Sequence, residues 1–352
     1  MIKGPIDPML ALRVDELPLG DLAYEPKWDG FRAIVEKDGD DIAIWSRNRR
    51  PLARYFPELV SGLADAGLPK RCVLDGELVI AGAGGLDFEA LLQRIHPAPS
   101  RIARLATQTP ASFVAFDLLA LGERDLRGTA FGKRRDALEK ALRKARPPVH
   151  LTPLTTDPAR ASDWFHRFEG AGLDGVIAKP LDLPYVEGER VMFKLKHRRT
   201  ADCVIGGYRV GRDGKGLASL LLGLYDADGV LHHVGVASGL PAAERTRLEK
   251  LLAPLKKGAS KAHPWLGGDV HADTQRVPDT ESRWTGARKL DWIAVRPELV
   301  AEVAFDHMQG TRFRHATRLV HLRPDRDAAS CTYAQLESVA PLELHSVFGT
   351  QR

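Results

Sequence analysis

The chain has 352 residues, 44% of them hydrophobic and 28% charged, with a formal net charge of +5. This is ordinary globular composition with room for two domains; it excludes a disordered chain, and the mild basic excess leans toward a polyanionic partner. Cys72, Cys203 and Cys331 are too scattered for a zinc motif or a disulfide framework, and no stretch approaches a membrane span, so a cytoplasmic protein with no membrane contact is expected.

In chain order, residues 32–36 and 41–45 predict a hairpin around Asp38-Gly39. Residues 74–80 and 112–119 predict further strands. A helix is expected over 132–145, with Leu138 and Leu142 on its apolar face and Pro147-Pro148 after it, and a second over 157–170. Strands at 175–179 and 191–196 follow. After Lys196 the texture changes to a basic bridge at 197–202, then strands at 203–210, 217–225, 231–236, 299–305 and 318–322, with turns at Asp213-Gly214 and Asp228-Gly229. One helix, 241–255, interrupts them, and 256–280 reads as an exposed loop. Short strands with one helix fit a small β-barrel of the oligonucleotide-binding (OB) kind. The expected architecture is α+β, with antiparallel sheets and flanking helices over 1–199 and an OB-fold barrel over 200–352.

Chemistry-bearing residues fall on these elements. Lys27 stands in Glu25-Pro26-Lys27-Trp28-Asp29-Gly30-Phe31-Arg32. A lysine amine attacks only when deprotonated, and its ordinary pKa of about 10.4 makes it a poor nucleophile unless desolvation or nearby cations lower that value. On a strand, Lys194 and Lys196 project from one face while Phe193 and Leu195 bury the other. Two adjacent ammonium groups suit an anion such as a triphosphate, and would depress the pKa of a neighbouring Lys27. Glu77, after Asp75-Gly76, and Asp174, leading into Val176-Ile177-Ala178, either cap turns or bind a ribose hydroxyl or a hard divalent cation. Phe116 shares a strand face with Val114 and Leu118, as core or as a stacking surface for a base. Arg32 and Arg47 can hold phosphate or ribose in a geometry lysine cannot reproduce, or be plain solvated arginines.

The run around Lys27 contains Lys-x-Asp-Gly-x-Arg, which resembles the nucleophile motif of covalent nucleotidyltransferases: DNA ligases, RNA ligases and RNA-capping enzymes. The order of the remaining pieces resembles the ATP-dependent DNA ligase family over residues 25 to 325, especially its short, two-domain bacterial members. Ser46-Arg47-Asn48 with Tyr55-Phe56-Pro57-Glu58 looks like its second motif, and Asp75-Gly76-Glu77 its third. Phe116-Asp117-Leu118-Leu119 with Asp125-Leu126-Arg127 looks like the segment whose aromatic stacks on adenine. Asp174 through Lys179 is similar to the fourth motif, Phe193-Lys194-Leu195-Lys196 to the fifth, and Gly310-Thr311-Arg312-Phe313-Arg314-His315 through Arg323 to the sixth. Three positions depart from the pattern: Arg49 stands in place of glycine, Asp174 in place of glutamate, and no proline follows Arg314.

That resemblance implies ATP and a divalent cation, Mg²⁺ or Mn²⁺, as cofactors, and nicked double-stranded DNA as substrate, with DNA-repair proteins as further partners of a monomer. It implies Lys27 as the nucleophile that becomes lysyl-AMP. It implies ATP contacts from Glu25, Arg32, Arg47, Glu77, Phe116, Lys194, Lys196 and Arg314, with Glu77 and Asp174 at the metal. Arg314, on a barrel hinged at 197–201, would orient pyrophosphate in the first step. RNA ligase and RNA-capping guanylyltransferase are the alternatives that share the first motif. An NAD-dependent ligase is disfavoured by Arg32, where that family has alanine, and by the lack of a four-cysteine zinc module. A strand-binding module leaves the lysines and acids of the first domain unexplained, and Asp213-Gly214-Lys215-Gly216 lacks the spacing of a P-loop.

Overall fold

The computed structural model describes residues 4–82, 85–197, 199–211, 216–266, 275–278 and 292–336. The chain divides into two compact units, with the break between His197 and Arg198.

The first unit is built on two sheets. In the larger, the strands Asp41–Ser46, Phe31–Asp38, Arg71–Gly82 and Ala111–Leu121 lie side by side, all antiparallel. The first two form the expected hairpin, with Asp38 opposite Asp41 and Gly39 at φ +67° in the turn. In the smaller sheet the order is Leu10–Val14, Arg190–Lys196, Gly175–Pro180 and Leu22–Pro26, the first pairing parallel and the others antiparallel.

Apolar alternation on the larger sheet turns Ala33, Val35, Leu74, Leu78 and Phe113 against Phe56 and against Leu59 and Leu63 of the helix Pro57–Asp65, with Leu138 and Leu142 of the helix Phe131–Leu142. Full burial of each large apolar side chain contributes about 1.5–3 kcal/mol. Two helices absent from the sequence reading, Pro57–Asp65 and Pro99–Gln108, each open with proline at the first turn, where its fixed φ and missing N–H cost nothing. The helix Pro158–Arg167 begins where expected, because the Asp157 side chain accepts a hydrogen bond from the Ala159 N–H at 2.9 Å.

The second unit carries an antiparallel sheet ordered Leu231–Ala237, Leu217–Tyr225, Arg199–Val210, Val300–Phe305 and Arg318–Leu322, with Trp292–Ala294 pairing onto Arg199–Val210. It forms an OB-like half-barrel, and Leu248 and Leu252 of the helix Ala242–Leu252 pack into its core. The loop expected over 256–280 is only partly a loop. A helical turn covers Ala259–Ala262, and Trp265 is buried in the core with its indole N–H donating to the Leu231 carbonyl at 2.9 Å. The turn at Asp213-Gly214 lies outside the described residues.

Candidate active site

Residues of both sheets of the first unit line one cavity of about 180 Å³. Lys27 sits at the end of the strand Leu22–Pro26, where the pairing with Gly175–Pro180 runs on for one more step. The Lys27 N–H donates to the Gly175 carbonyl and the Asp174 N–H donates to the Lys27 carbonyl, both at 2.9 Å. That backbone pair sets the two side chains together, and Lys27 Nζ lies 2.5 Å from Asp174 Oδ2. Lys196, paired opposite Gly175, reaches the same oxygen at 2.8 Å. Gly175 is obligatory here: its φ is +135°, and a Cβ would stand 2.0 Å from the Leu195 carbonyl oxygen. Gly30 has the same role across the site, since a Cβ there would meet the Leu78 carbonyl at 2.0 Å and the Glu77 side chain at 2.9 Å. The Asp-Gly after the lysine is therefore a close-approach requirement that brings Glu77 up to Lys27.

On the larger sheet Arg32 lies opposite Glu77. Its guanidinium forks onto the fully buried Asp75, Nε to Oδ1 at 2.6 Å and Nη2 to Oδ2 at 2.7 Å, and stands 4.4 Å above the Phe116 ring. Simple alternation places Phe116 on one face with Val114 and Leu118, and the structure corrects this. Asp75 pairs with Asp117 but Gly76 with Ala115, so Phe116 is the extra residue of a β-bulge, and the strand turns its ring into the cavity while Val114 and Leu118 enter separate cores.

Glu25 is buried at the apolar end of the cavity, beside Ile177 and Met192. Its Oε2 is paired with Lys179 at 2.7 Å; its Oε1 has no hydrogen bond, with Arg135 Nη1 3.6 Å away. Two cations thus balance the buried carboxylate at this end of the cavity. Lys194, the neighbour of Ile177 on the next strand, lines the other end with Arg47 and Arg190. Sequence reasoning missed Lys179 and Arg190. The period of two that found Lys194 reaches Arg190 as well.

The electrostatics correct one expectation. Burial works against the charge of Lys27, but Asp174, helped by Glu77 and Asp29, outweighs it, and the Lys27 pKa is raised rather than lowered. The effect of crowded cations falls on Lys194 instead, whose pKa is lowered by burial and then by Lys196, Lys27, Arg190 and Arg47. Burial pushes the Glu77 carboxyl up to about 7 against the pull of Arg32 and Lys27. Among the described residues no three His, Cys, Asp or Glu side chains converge on one point. The donor set fits a cation shared with phosphate oxygens, for which one or two carboxylates suffice, and not a closed protein cage.

Arg47 is exposed at the cavity mouth. Arg49 holds φ +57°, the left-handed region, at the position where the family pattern has glycine, and its N–H closes the turn onto the Ser46 carbonyl at 2.8 Å. Arg314 belongs to the second unit, beside the short strand Arg312–Phe313, and is not among the residues that line this cavity.

Comparison with known proteins decides the family. Residues 8–196 match the model of the ATP dependent DNA ligase domain, and residues 213–326 that of the ATP dependent DNA ligase C terminal region. The chain belongs to the ATP-dependent DNA ligase family. It is 53% identical to DNA ligase C of Mycobacterium tuberculosis over 98% of each chain, and 53% identical to DNA ligase C2 of Mycolicibacterium smegmatis over 96% of each. The multifunctional non-homologous end joining DNA repair protein LigD of M. tuberculosis is 33% identical over 83% of this chain and 38% of its own length. Among solved structures, a Lig E DNA ligase aligns over 92% of this chain and 100% of its own with a TM-score of 0.52 at 17% identity, a likeness of fold. Among the described residues no helix is long and apolar enough to cross a membrane.

Proposed function

We propose that this ligase seals nicks bearing a 3′-hydroxyl and a 5′-phosphate in DNA repair, taking AMP from ATP onto Lys27 Nζ and passing it to the 5′-phosphate before the 3′-hydroxyl displaces it. The contact of Lys27 with Asp174, whose same oxygen Lys196 also holds, carries this reading. Each step is an in-line displacement at phosphorus, so the protein acts by positioning and by neutralising charge. Lys27 Nζ bonds to the α-phosphorus as the bond to pyrophosphate breaks, and the amine proton leaves beforehand. Lys194, Lys196 and Arg47 are the cations for phosphate oxygens. Phe116 and Ile177 would enclose the base, and the Glu25 carboxylate at that end of the cavity would suit adenine, which presents an exocyclic N–H, over guanine, which presents a carbonyl oxygen at that edge. A divalent cation held by Glu77 and Asp174 would supply further neutralisation of the triphosphate.

The role of LigD-like relatives in end joining supports a repair assignment and repair proteins as partners. Incubation with α-labelled ATP, GTP and NAD in parallel should label the protein from ATP alone, through an acid-labile, alkali-stable phosphoramidate. Labelling from GTP would favour a capping-type reaction, and nicked RNA sealed in preference to DNA would favour an RNA ligase. For Arg314, on the second unit, we assign the orientation of pyrophosphate in the first step. Arg314→Ala should then slow lysyl-AMP formation about a hundredfold, the scale for loss of one charge-stabilising donor, and spare sealing of a nick already carrying 5′-adenylate. Equal losses on both substrates would remove that role.

A further inference from the structure

Tyr185 lies in the irregular segment between the strands Gly175–Pro180 and Arg190–Lys196, yet it is one of the most polar-connected side chains of the first unit. Its hydroxyl donates to Asp75 Oδ2 at 2.6 Å and accepts from the Met9 N–H at 3.2 Å. Arg32 closes the circuit: its Nη2 donates to the same Asp75 oxygen at 2.7 Å and to the Met9 carbonyl at 3.4 Å. Four chain segments thus meet in one closed ring of hydrogen bonds. The phenol is 6% exposed and Asp75 is fully buried, so the ring is shielded from water and each bond in it is strengthened. The Tyr185 backbone is itself fixed, its N–H donating to the Arg127 carbonyl at 2.7 Å.

Arg32 has five donors, and the ring uses those on Nε and Nη2. Among the described residues Nη1 has no hydrogen-bond partner, and the guanidinium as a whole faces the cavity above Phe116. A guanidinium bound to a carboxylate through two nitrogens can still slide along the fork or swing with the carboxylate's own rotation. The Tyr185 hydroxyl removes that freedom by holding Asp75 Oδ2 from the other side. The same hydroxyl pins Met9, whose segment Pro8–Ala11 forms a wall of the cavity.

We infer that Tyr185 is a positioning residue of the ligase reaction: acting through Asp75, it fixes the direction in which Arg32 presents its Nη1 to the nucleotide. The phenol stays protonated as this requires, since burial and then the Asp75 charge raise its pKa well above the ordinary value. The inference rests on the reading of the cavity as the ATP site, in which Arg32 contacts ribose or phosphate.

The test is a double-mutant cycle on single-turnover lysyl-AMP formation, measured against ATP concentration for the wild type, Tyr185→Phe, Arg32→Ala and the double variant. Phenylalanine fills the same space, so only the hydroxyl is lost. The rate is read on the labelled fraction, so any unfolded protein lowers the amplitude and leaves the rate intact. Loss of a buried hydrogen bond to a charged group predicts a fall of about tenfold in the ratio of maximal rate to half-saturating ATP for Tyr185→Phe. On the Arg32→Ala background the same change should alter that ratio by less than about twofold, because its target is gone. A loss of equal size on both backgrounds, or no loss in the single variant, overturns the inference. An Arg32→Ala chain that forms lysyl-AMP at the wild-type rate overturns the assignment of Arg32 to the nucleotide, and with it this role for Tyr185.

Discussion

Lys27→Arg should yield a folded protein that takes no label from ATP at any pH that leaves it folded. Arginine keeps the positive charge that Asp174 balances, so the ion pair beneath the cavity survives and the variant should melt close to the wild type. It cannot lose a proton near neutral pH, so it offers no lone pair to the α-phosphorus, and the effect on lysyl-AMP formation is complete rather than partial. The same variant should still seal a nick that carries a preformed 5′-adenylate, because that step needs no lysine nucleophile. Acid-labile label on the Lys27→Arg protein would move the nucleophile to another residue.

Asp174→Asn gives the second large effect, with a signature of its own. In the wild type, Asp174 is the chief reason that the Lys27 pKa is raised. Removing its charge leaves only the smaller pull of Glu77 and Asp29 against burial, which is the largest single influence and favours the neutral amine. The pH at which labelling reaches half its maximum should therefore move to lower pH in the variant. At the same time the plateau rate should fall on the order of a hundredfold, since Lys27 Nζ loses the contact at 2.5 Å that fixes its direction, and misplacement by about an ångström costs that much. A pH profile unchanged from the wild type would show that Asp174 does not hold the proton on Lys27. A plateau rate unchanged with a shifted profile would confine its role to the resting state.

Part of this site could be read from the chain. Motif order brought Lys27, Glu77, Phe116 and Lys194 to one place, and the structure lines one cavity with all four. Strand alternation correctly turned Lys194 and Lys196 the same way. It could not show that Asp174 takes the charge of Lys196 and Lys27 together, because that contact depends on a backbone pair between distant segments. Hence the direction of the Lys27 pKa was reversed. The face that Phe116 was expected to share with Val114 and Leu118 was wrong for a related reason: a period of two has no means of anticipating the bulge that separates them. Tyr185 left no trace in any pattern, since it sits in a segment without a period and the two partners of its hydroxyl, Asp75 and Met9, come from distant segments. The short helices Pro57–Asp65 and Phe88–Gln93, joined by the ion pair of buried Arg94 with Glu58 at 2.7 Å, were missed as well, because nine and six residues show few turns of an apolar stripe.

The central claim is that Lys27 carries AMP from ATP to DNA, and a chase experiment tests it most directly. Protein labelled with α-labelled ATP is freed of nucleotide and pyrophosphate, digested in part to locate the label, and in part mixed with nicked DNA and a divalent cation. The account predicts one AMP on the peptide containing Lys27, its loss from the protein on addition of the nick, and one sealed strand for each AMP released. Label on a peptide without Lys27, or label that stays on the protein while the nick remains open, would contradict it.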